Sequence, residues 1–433
     1  MKRIPLSTLP LLFITLSACA QDVDKLISQN EVARVIKTLS ADDMEGRGTF
    51  TPGIDKAATF IEGEFKSAGL TPLAGESGFR QRFDVVRYTA DLAVTVDGKA
   101  VPAENIACIL RESDGAGGEP LKENIAAGEN LMRKGQSVFR SETGAIVTVD
   151  GSLKKDFQRI MEAGANGTVI FPDGKEKQFA RYVFLLGVPK DAKIEIKASP
   201  EKQQKQELFN VAGMIPGKSK KEEYVVFSGH YDHLGIIKPV GQDSIANGAD
   251  DDASGTTAVI ELAKYYKKLN SNARTLVFVA FTAEEIGGYG SQYFSRKLNP
   301  DQVTAMFNIE MIGKASKFGK NAAFITGYER SDFGTILQKN LKGTKFTFHP
   351  DPYPEQNLFY RSDNATLARF GVPAHTISTD QIDKDELYHT VKDEFSSLDV
   401  SNITSTIRAI ALSSRSIVSG MDTPKRIEKS TVN

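Results

Sequence analysis

Three aspartates stand side by side in "ANGADDDASG", residues 246–255, among glycines and alanines. Adjacent like charges repel, and a buried carboxylate without a partner is costly. Either the run is a solvated loop, or the loop holds a cation. Two more acids, Glu284 and Glu285, are adjacent in "TAEEIGG". Neighbouring residues on regular structure point apart, so one glutamate can bind a metal while the other takes a proton from water. Hydrolysis needs that division of labour. Two solvated glutamates at a helix start, where acids are favoured, would read the same way.

The histidines are His230, His233, His349, His375 and His389. His230, in "SGHYDHLG", follows an apolar run and stands two residues before Asp232. A carboxylate that close can orient the imidazole, as metal-bound histidines usually require. His389, in "LYHT", follows a polar loop. His233, His349 and His375 lack such support and are expected to be structural, with His375 packed inside an apolar run.

Such groups need elements to hold them. "EYVVFSG" and "TLVFVAFTA" are short apolar runs rich in Val and Phe, as in strands buried on both faces. Between them "SGTTAVIELAKYYKKL" reads as a helix with Val259, Leu262, Ala263 and Tyr266 inward. "MFNIEMIG" and "VPAHTIS" are further buried strands. This alternation predicts an α/β fold with a largely parallel sheet covered by helices on both faces. Ligands bind such sheets at the carboxyl ends of the strands, where His230, Glu284, Glu285 and Glu310 fall. Upstream, "GIDKAATFIEGEFKSAGL" is helical, with Ala57, Phe60, Ile61, Phe65 and Leu70 on one face and Gly69 as its stop. From about Phe83 the pattern alternates like strands, and "SPEKQQKQ" reads as a helix leading back to "FNVAGMIPG". The expected organisation is a leader (1–18), a first part of the α/β domain (19–85), an inserted β-rich domain (86–206), its second part (207–422) and a loose tail (423–433).

With 433 residues, 40% hydrophobic, and a net charge of -1, the chain can bury a core and presents no basic field for nucleic acid. The leader has a basic start, "MKR", and an apolar run too short and too prolyl for a comfortable membrane span. It ends in "LSAC", which resembles the lipobox of bacterial lipoproteins, with cleavage before Cys19 and acylation of that cysteine. An ordinary secretory signal is the alternative. The lipobox reading predicts an exported protein anchored to the bacterial cell envelope by lipid alone. Cys108 then has no partner, so no disulfide is expected.

"SGHYDHLG", "NGADDDASG", "TAEEIGG", "NIEMIG" and "LYHT" come in the order seen in bacterial secreted zinc aminopeptidases with a co-catalytic metal pair, and the chain resembles that family. Glutamate carboxypeptidase and glutaminyl cyclase are relatives. "GAIVTVDG…MEAGANGTVIF" resembles the protease-associated (PA) domain often inserted in the family's zinc exopeptidase fold. The resemblance implies two zinc ions, with cobalt or manganese as substitutes. His230 and His389 would bind on opposite sides of the pair, Asp251 would bridge it, and Glu285 and Glu310 would complete the two sets. It also implies Glu284 as general base, Asp232 as orienter, Tyr388 as donor to the oxyanion, and a cis Asp251–Asp252 bond. Two positions depart from the family: Glu310 stands where Asp is common, and Asn364 where His is frequent. The implied activity is hydrolysis of N-terminal residues from peptides with free N-termini. A carboxypeptidase, with Arg361 as a candidate for a free carboxylate, is the alternative on the same scaffold. A glutaminyl cyclase is disfavoured because the chain has no tryptophan. A non-catalytic receptor-like protein is at odds with the complete set of ligand side chains.

Overall fold

The computed structural model describes residues 23–432; the leader and Cys19 lie outside them. The chain divides into two compact units, one formed by the segments up to Arg82 and from Phe209 onward, the other by Phe83–Leu208.

In the first unit, seven neighbouring strands of a sheet run in the order Thr347–Pro350, Ala322–Ile325, Ala374–Ser378, Val303–Ile309, Lys220–His230, Arg274–Phe281 and the part of Lys202–Ile215 from Phe209 onward. The central strand Lys220–His230 pairs in parallel with both its neighbours, and Val303–Ile309 pairs in parallel with Ala374–Ser378. Side chains alternate between two cores. Val225, Phe227, Leu276 and Phe278 enter one; Val226, Val277, Val279 and Phe281 enter the other. Both faces are therefore apolar, which is why these strands read as continuous runs. In-register pairing sets Phe227 opposite Phe278 and Phe307, and their rings stack with centroids 5.3 and 4.9 Å apart.

Helices Gln29–Leu39, Pro52–Ala68, Gly255–Leu269 and Val400–Ser413 cover the first face. Val259, Leu262, Ala263 and Tyr266 are all fully buried, as the helical spacing predicts. Pro52–Ala68 ends at Gly69, whose φ of 78° suits glycine at a left-handed cap.

The second unit holds a four-stranded sheet in the order Ile106–Glu112, Phe179–Leu186, Ala145–Val149, Leu121–Ile125. It also holds a three-stranded antiparallel sheet and the helices Leu131–Val138 and Lys154–Asn166.

Two expectations need correction. "SPEKQQKQ" is not helical: residues from Lys202 belong to the strand Lys202–Ile215. The strand lies beside Arg80–Thr89 in the sheet, and that pairing overrides the helix propensity of Glu, Lys and Gln; Lys202 and Lys205 add exposed ion pairs with Asp91 and Asp84. The tail from residue 423 is not loose over its described length, because Ile427 is 2% exposed in the second core and its N–H donates to Gly371 O. Arg426 donates to the carbonyls of Pro300, Val303 and Phe370. Ile427 and Pro424, both buried among polar neighbours, seat a terminal segment that its composition makes look solvated.

Candidate active site

The parallel strands end side by side, and their next residues carry the polar groups. His230 is the last residue of Lys220–His230, Glu284 and Glu285 follow Arg274–Phe281, and Glu310 follows Val303–Ile309. Asp251 comes from the loop before the helix Gly255–Leu269. His389 lies in an irregular loop after Ala374–Ser378, with φ 58°.

The five expected ligands converge. His230 Nε2 is 3.1 Å from Asp251 Oδ1 and 3.2 Å from Glu310 Oε1. His389 Nε2 is 3.2 Å from Asp251 Oδ2 and 3.1 Å from Glu285 Oε2. Each oxygen of Asp251 thus faces a different imidazole–carboxylate pair. His230, Asp251 and Glu285 also present ligand atoms that all lie within 4.8 Å of one another.

The loop that carries Asp251 is fixed from several sides, and its three acids divide the work. Asp252 accepts from the backbone N–H groups of His230 (3.2 Å), Gly255 (3.0 Å) and Met311 (3.1 Å). Asp250 accepts from Gly313 N at 2.7 Å and has the Lys314 ammonium 3.3 Å from its other oxygen. Only Asp251 turns toward the two imidazoles. Asp393 accepts from the N–H groups of Asp250 and Asp251. The Asp251–Asp252 peptide bond is cis. Small residues are required here: a Cβ on Gly255 would lie 2.1 Å from Ile309 O and 2.5 Å from Asp252 Oδ1.

Arg47 supports the same loop and had no signal beyond its place in "DMEGRGT". It is fully buried. Its guanidinium donates to the carbonyls of Leu39 (2.7 Å), Tyr231 (2.8 Å), Asn247 (2.6 Å) and Gly248 (2.9 Å). Burial pulls its pKa below the usual arginine value, against the raising effect of Asp251 and Asp393.

Asp232 differs from expectation. The group nearest His230 Nδ1 is the backbone carbonyl of Asp232 at 3.0 Å; the carboxylate is 3.8 Å away. That carboxylate instead accepts from Glu284 N (3.1 Å), Glu285 N (3.3 Å) and Thr49 Oγ1 (3.1 Å). It ties the Glu284–Glu285 turn to the end of the His230 strand. Main-chain donors aimed at that point outcompete the imidazole two residues away.

His233 is also closer to the centre than its sequence context suggested. Its Nδ1 is 2.7 Å from Glu285 Oε1 and 3.8 Å from Asp251 Oδ2, and its Nε2 is buried with no hydrogen-bond partner. The available signal was its position one residue after Asp232. His375 is packed, with Ser331 Oγ 2.7 Å from Nε2 and Thr326 O 2.9 Å from Nδ1. His349 stacks on Phe318, away from these residues. Asn364 is buried and bonded to Phe359 O and Thr376 Oγ1.

Burial, with Glu310, Asp363 and Glu285 nearby, pushes the Glu284 carboxyl well above the usual carboxylate range. Burial and Asp251 would also raise Glu285, but His389 and His233 hold it down at about 2. Asp251 lies well below its usual value despite burial, because His233, His230 and His389 surround it. Burial, with Asp251 and Glu285 close by, keeps the Tyr388 phenol protonated. Its ring stacks on His389 at 3.8 Å between centroids. Ser362 Oγ donates to Glu310.

Two cavities open on this centre. One, of about 60 Å³, is lined by Glu310, Met311, Phe324, Leu358 and Tyr388 among others. The other, of about 460 Å³, is lined by Glu284, Glu285, Ser291 and Asp363 among others. Three non-glycine residues beside the centre have left-handed backbone: Ala283 (φ 58°), Met311 (φ 48°) and His389 (φ 58°). Each costs on the order of 1 kcal/mol, and such strain gathers where strands hand over to functional loops.

Residues 210–413 match the sequence model of Peptidase family M28, and this segment carries all five convergent residues. Leucine aminopeptidase 1 of Ajellomyces capsulatus (strain H88) is 30% identical over 206 residues, 44% of this chain and 51% of that protein. The protein of the same name from Penicillium rubens is 29% identical over 202 residues, covering 43% and 50%. The aligned part of the chain spans about half the length of these curated relatives. Among solved structures, the aminopeptidase from Aneurinibacillus sp. strain AM-1 superposes with a TM-score of 0.61 at 17% identity, covering 96% of this chain and 98% of that one. The zinc aminopeptidase BSAP from Bacillus subtilis gives 0.57 at 14%, covering 92% and 97%. A Peptidase M28 precursor from Shewanella amazonensis SB2B gives 0.55 at 16%, covering 95% and 98%. The fold is the mixed α/β fold of these aminopeptidase structures, with its large, mostly parallel sheet.

Proposed function

We propose that the protein is a metal-dependent aminopeptidase that removes N-terminal residues from peptides, using two zinc ions. The observation that carries this reading is the posture of Asp251, whose oxygens face His230 with Glu310 on one side and His389 with Glu285 on the other. The donor set fits. Three carboxylates and two imidazoles meet at one centre, and each imidazole Nε2 faces two carboxylate oxygens at 3.1–3.2 Å, the spacing of ligand atoms around a shared cation. Mixed nitrogen and oxygen donors suit zinc, with cobalt or manganese as substitutes. His230, Asp251 and Glu310 would hold one ion; His389, Asp251 and Glu285 would hold the other.

Dications held there would polarise the scissile carbonyl and acidify a water. Glu284 takes the proton of the attacking water at its carboxylate and returns it to the leaving amine. Asp232 fixes the turn that aims Glu284 through its bonds to both glutamate N–H groups. The protonated Tyr388 hydroxyl is a donor for the oxyanion. The small cavity beside Glu310 accepts one side chain, and the carboxylates around it favour an ammonium over a blocked N-terminus. Identity to the leucine aminopeptidases supports the same activity.

Hydrolysis of amino-acyl p-nitroanilides, compared with their N-acetyl forms, tests the reading. Glu284→Gln is expected to lower kcat by about 10²- to 10⁴-fold while zinc content stays near about two per chain. Normal turnover by that variant, or equal cleavage of N-blocked substrates, would refute it.

The proposal extends to location. No helix of the described residues is long and apolar enough to cross a membrane. Export and a lipid tether at Cys19 rest on the leader motif, and a PA-like insert rests on the pattern of residues 86–206. Cys19→Ser is expected to move the protein from the membrane fraction to the soluble fraction.

A further inference from the structure

Two residues, Arg361 and Ser362, line both cavities that flank the candidate centre. They form the divide between the small cavity beside Glu310 and Tyr388 and the larger one beside Glu284 and Glu285. Ser362 anchors this divide, because its hydroxyl donates to Glu310 and it receives a 2.7 Å bond from Asn308 Nδ2. Arg361 N donates to Leu358 O at 3.1 Å, closing the turn that carries the guanidinium. The Arg361 side chain is exposed and has no acidic partner among the described residues.

An arginine without a carboxylate partner is unusual so close to this many acids. Glu284, Glu285, Glu310, Asp251 and Asp363 all face the centre, yet none is bonded to Arg361. The planar guanidinium is built to take a carboxylate through two parallel hydrogen bonds. Its position identifies which one. In the proposed reaction the small cavity takes the N-terminal side chain and the larger one receives the leaving part, so a residue on the divide stands beside the scissile bond. One residue past that bond, about 3.8 Å further by Cα spacing, a dipeptide presents its α-carboxylate. A longer or amidated peptide presents a neutral amide at the same place.

We infer that Arg361 binds the free α-carboxylate of dipeptide substrates, so that the site prefers dipeptides to longer or amidated peptides. This rests on the aminopeptidase reading and names its substrate class.

The test uses the full zinc-loaded chain with leucylglycine, leucylglycinamide and leucyl p-nitroanilide. Wild-type kcat/KM is expected to be at least tenfold higher for the free acid than for the amide. Arg361→Ala is expected to bring that ratio to within about twofold, chiefly through a higher KM for the acid, and Arg361→Lys to restore part of it. A wild-type ratio near one, or a ratio that survives Arg361→Ala, overturns the inference while cleavage of the amide and the anilide leaves the aminopeptidase reading standing. An equal fall for all three substrates in Arg361→Ala also overturns it, assigning the side chain to the oxyanion instead. Hydrolysis of none of the three by the wild type overturns both readings.

Discussion

Asp232 shows how a residue can occupy its expected place while making different bonds. Sequence spacing put its carboxylate next to His230, but both oxygens are taken by the N–H groups of Glu284 and Glu285 and by Thr49. The carboxylate therefore positions the proposed base rather than the imidazole. Asp232→Asn exchanges one acceptor for a donor, which would point at a backbone N–H. We expect zinc affinity to change little and kcat to fall by about tenfold to a hundredfold, the size typical of lost supporting bonds. Zinc titration by calorimetry alongside steady-state kinetics checks this. A loss of zinc affinity with kcat preserved would return Asp232 to the orienting role.

At the scale of elements, helix ends and loops hold the strand termini in register. The helix Val400–Ser413 starts at Asp399, whose carboxylate accepts from Asn402 N at 3.1 Å and pairs with Lys320 at 2.6 Å. The Lys320 bond, with Ser401 and Asn402, lowers its pKa to about 2. The folded value lies below the unfolded one, so the contribution is present above about pH 4 and is lost as pH falls toward 2. Asp399→Ala is expected to cost about 1 kcal/mol at pH 7. The gap to wild type should narrow as the pH is lowered through that window, measured by urea denaturation.

Across the whole molecule, the first unit is closed by its last described residues. Ile427 joins Val226, Val277, Phe294 and Met306 in the second core, and Arg426 bonds three carbonyls beside it. Ile427→Ala is expected to lower stability by about 2–4 kcal/mol, the usual range for truncating a buried aliphatic side chain. Thermal or denaturant unfolding measures it, and a change below about 0.5 kcal/mol, the level of an exposed site, would show that the tail contributes nothing. The same segment explains why composition misread it: polar neighbours conceal the buried Pro424 and Ile427.

The sequence by itself determined the parallel sheet, because strands buried on both faces must be continuously apolar and the helices between them amphipathic. It also marked His230, Glu284, Glu285 and Glu310, since polar groups placed directly after buried strands have few places to go, while Asp251 and His389 were marked by the family resemblance of their motifs. Tertiary structure decided which partner each group takes. That Asp251, and neither of its neighbours, faces the imidazoles depends on backbone N–H groups from Gly255, Met311 and Gly313 claiming Asp252 and Asp250. Arg47 and the lysines of residues 202–205 had no local signature, and His233 had only its place beside Asp232, because their partners are carbonyls and carboxylates distant along the chain. Periodicity is a local property and survives in one dimension; hydrogen-bond partnership is a contest among groups that only folding brings within 3 Å.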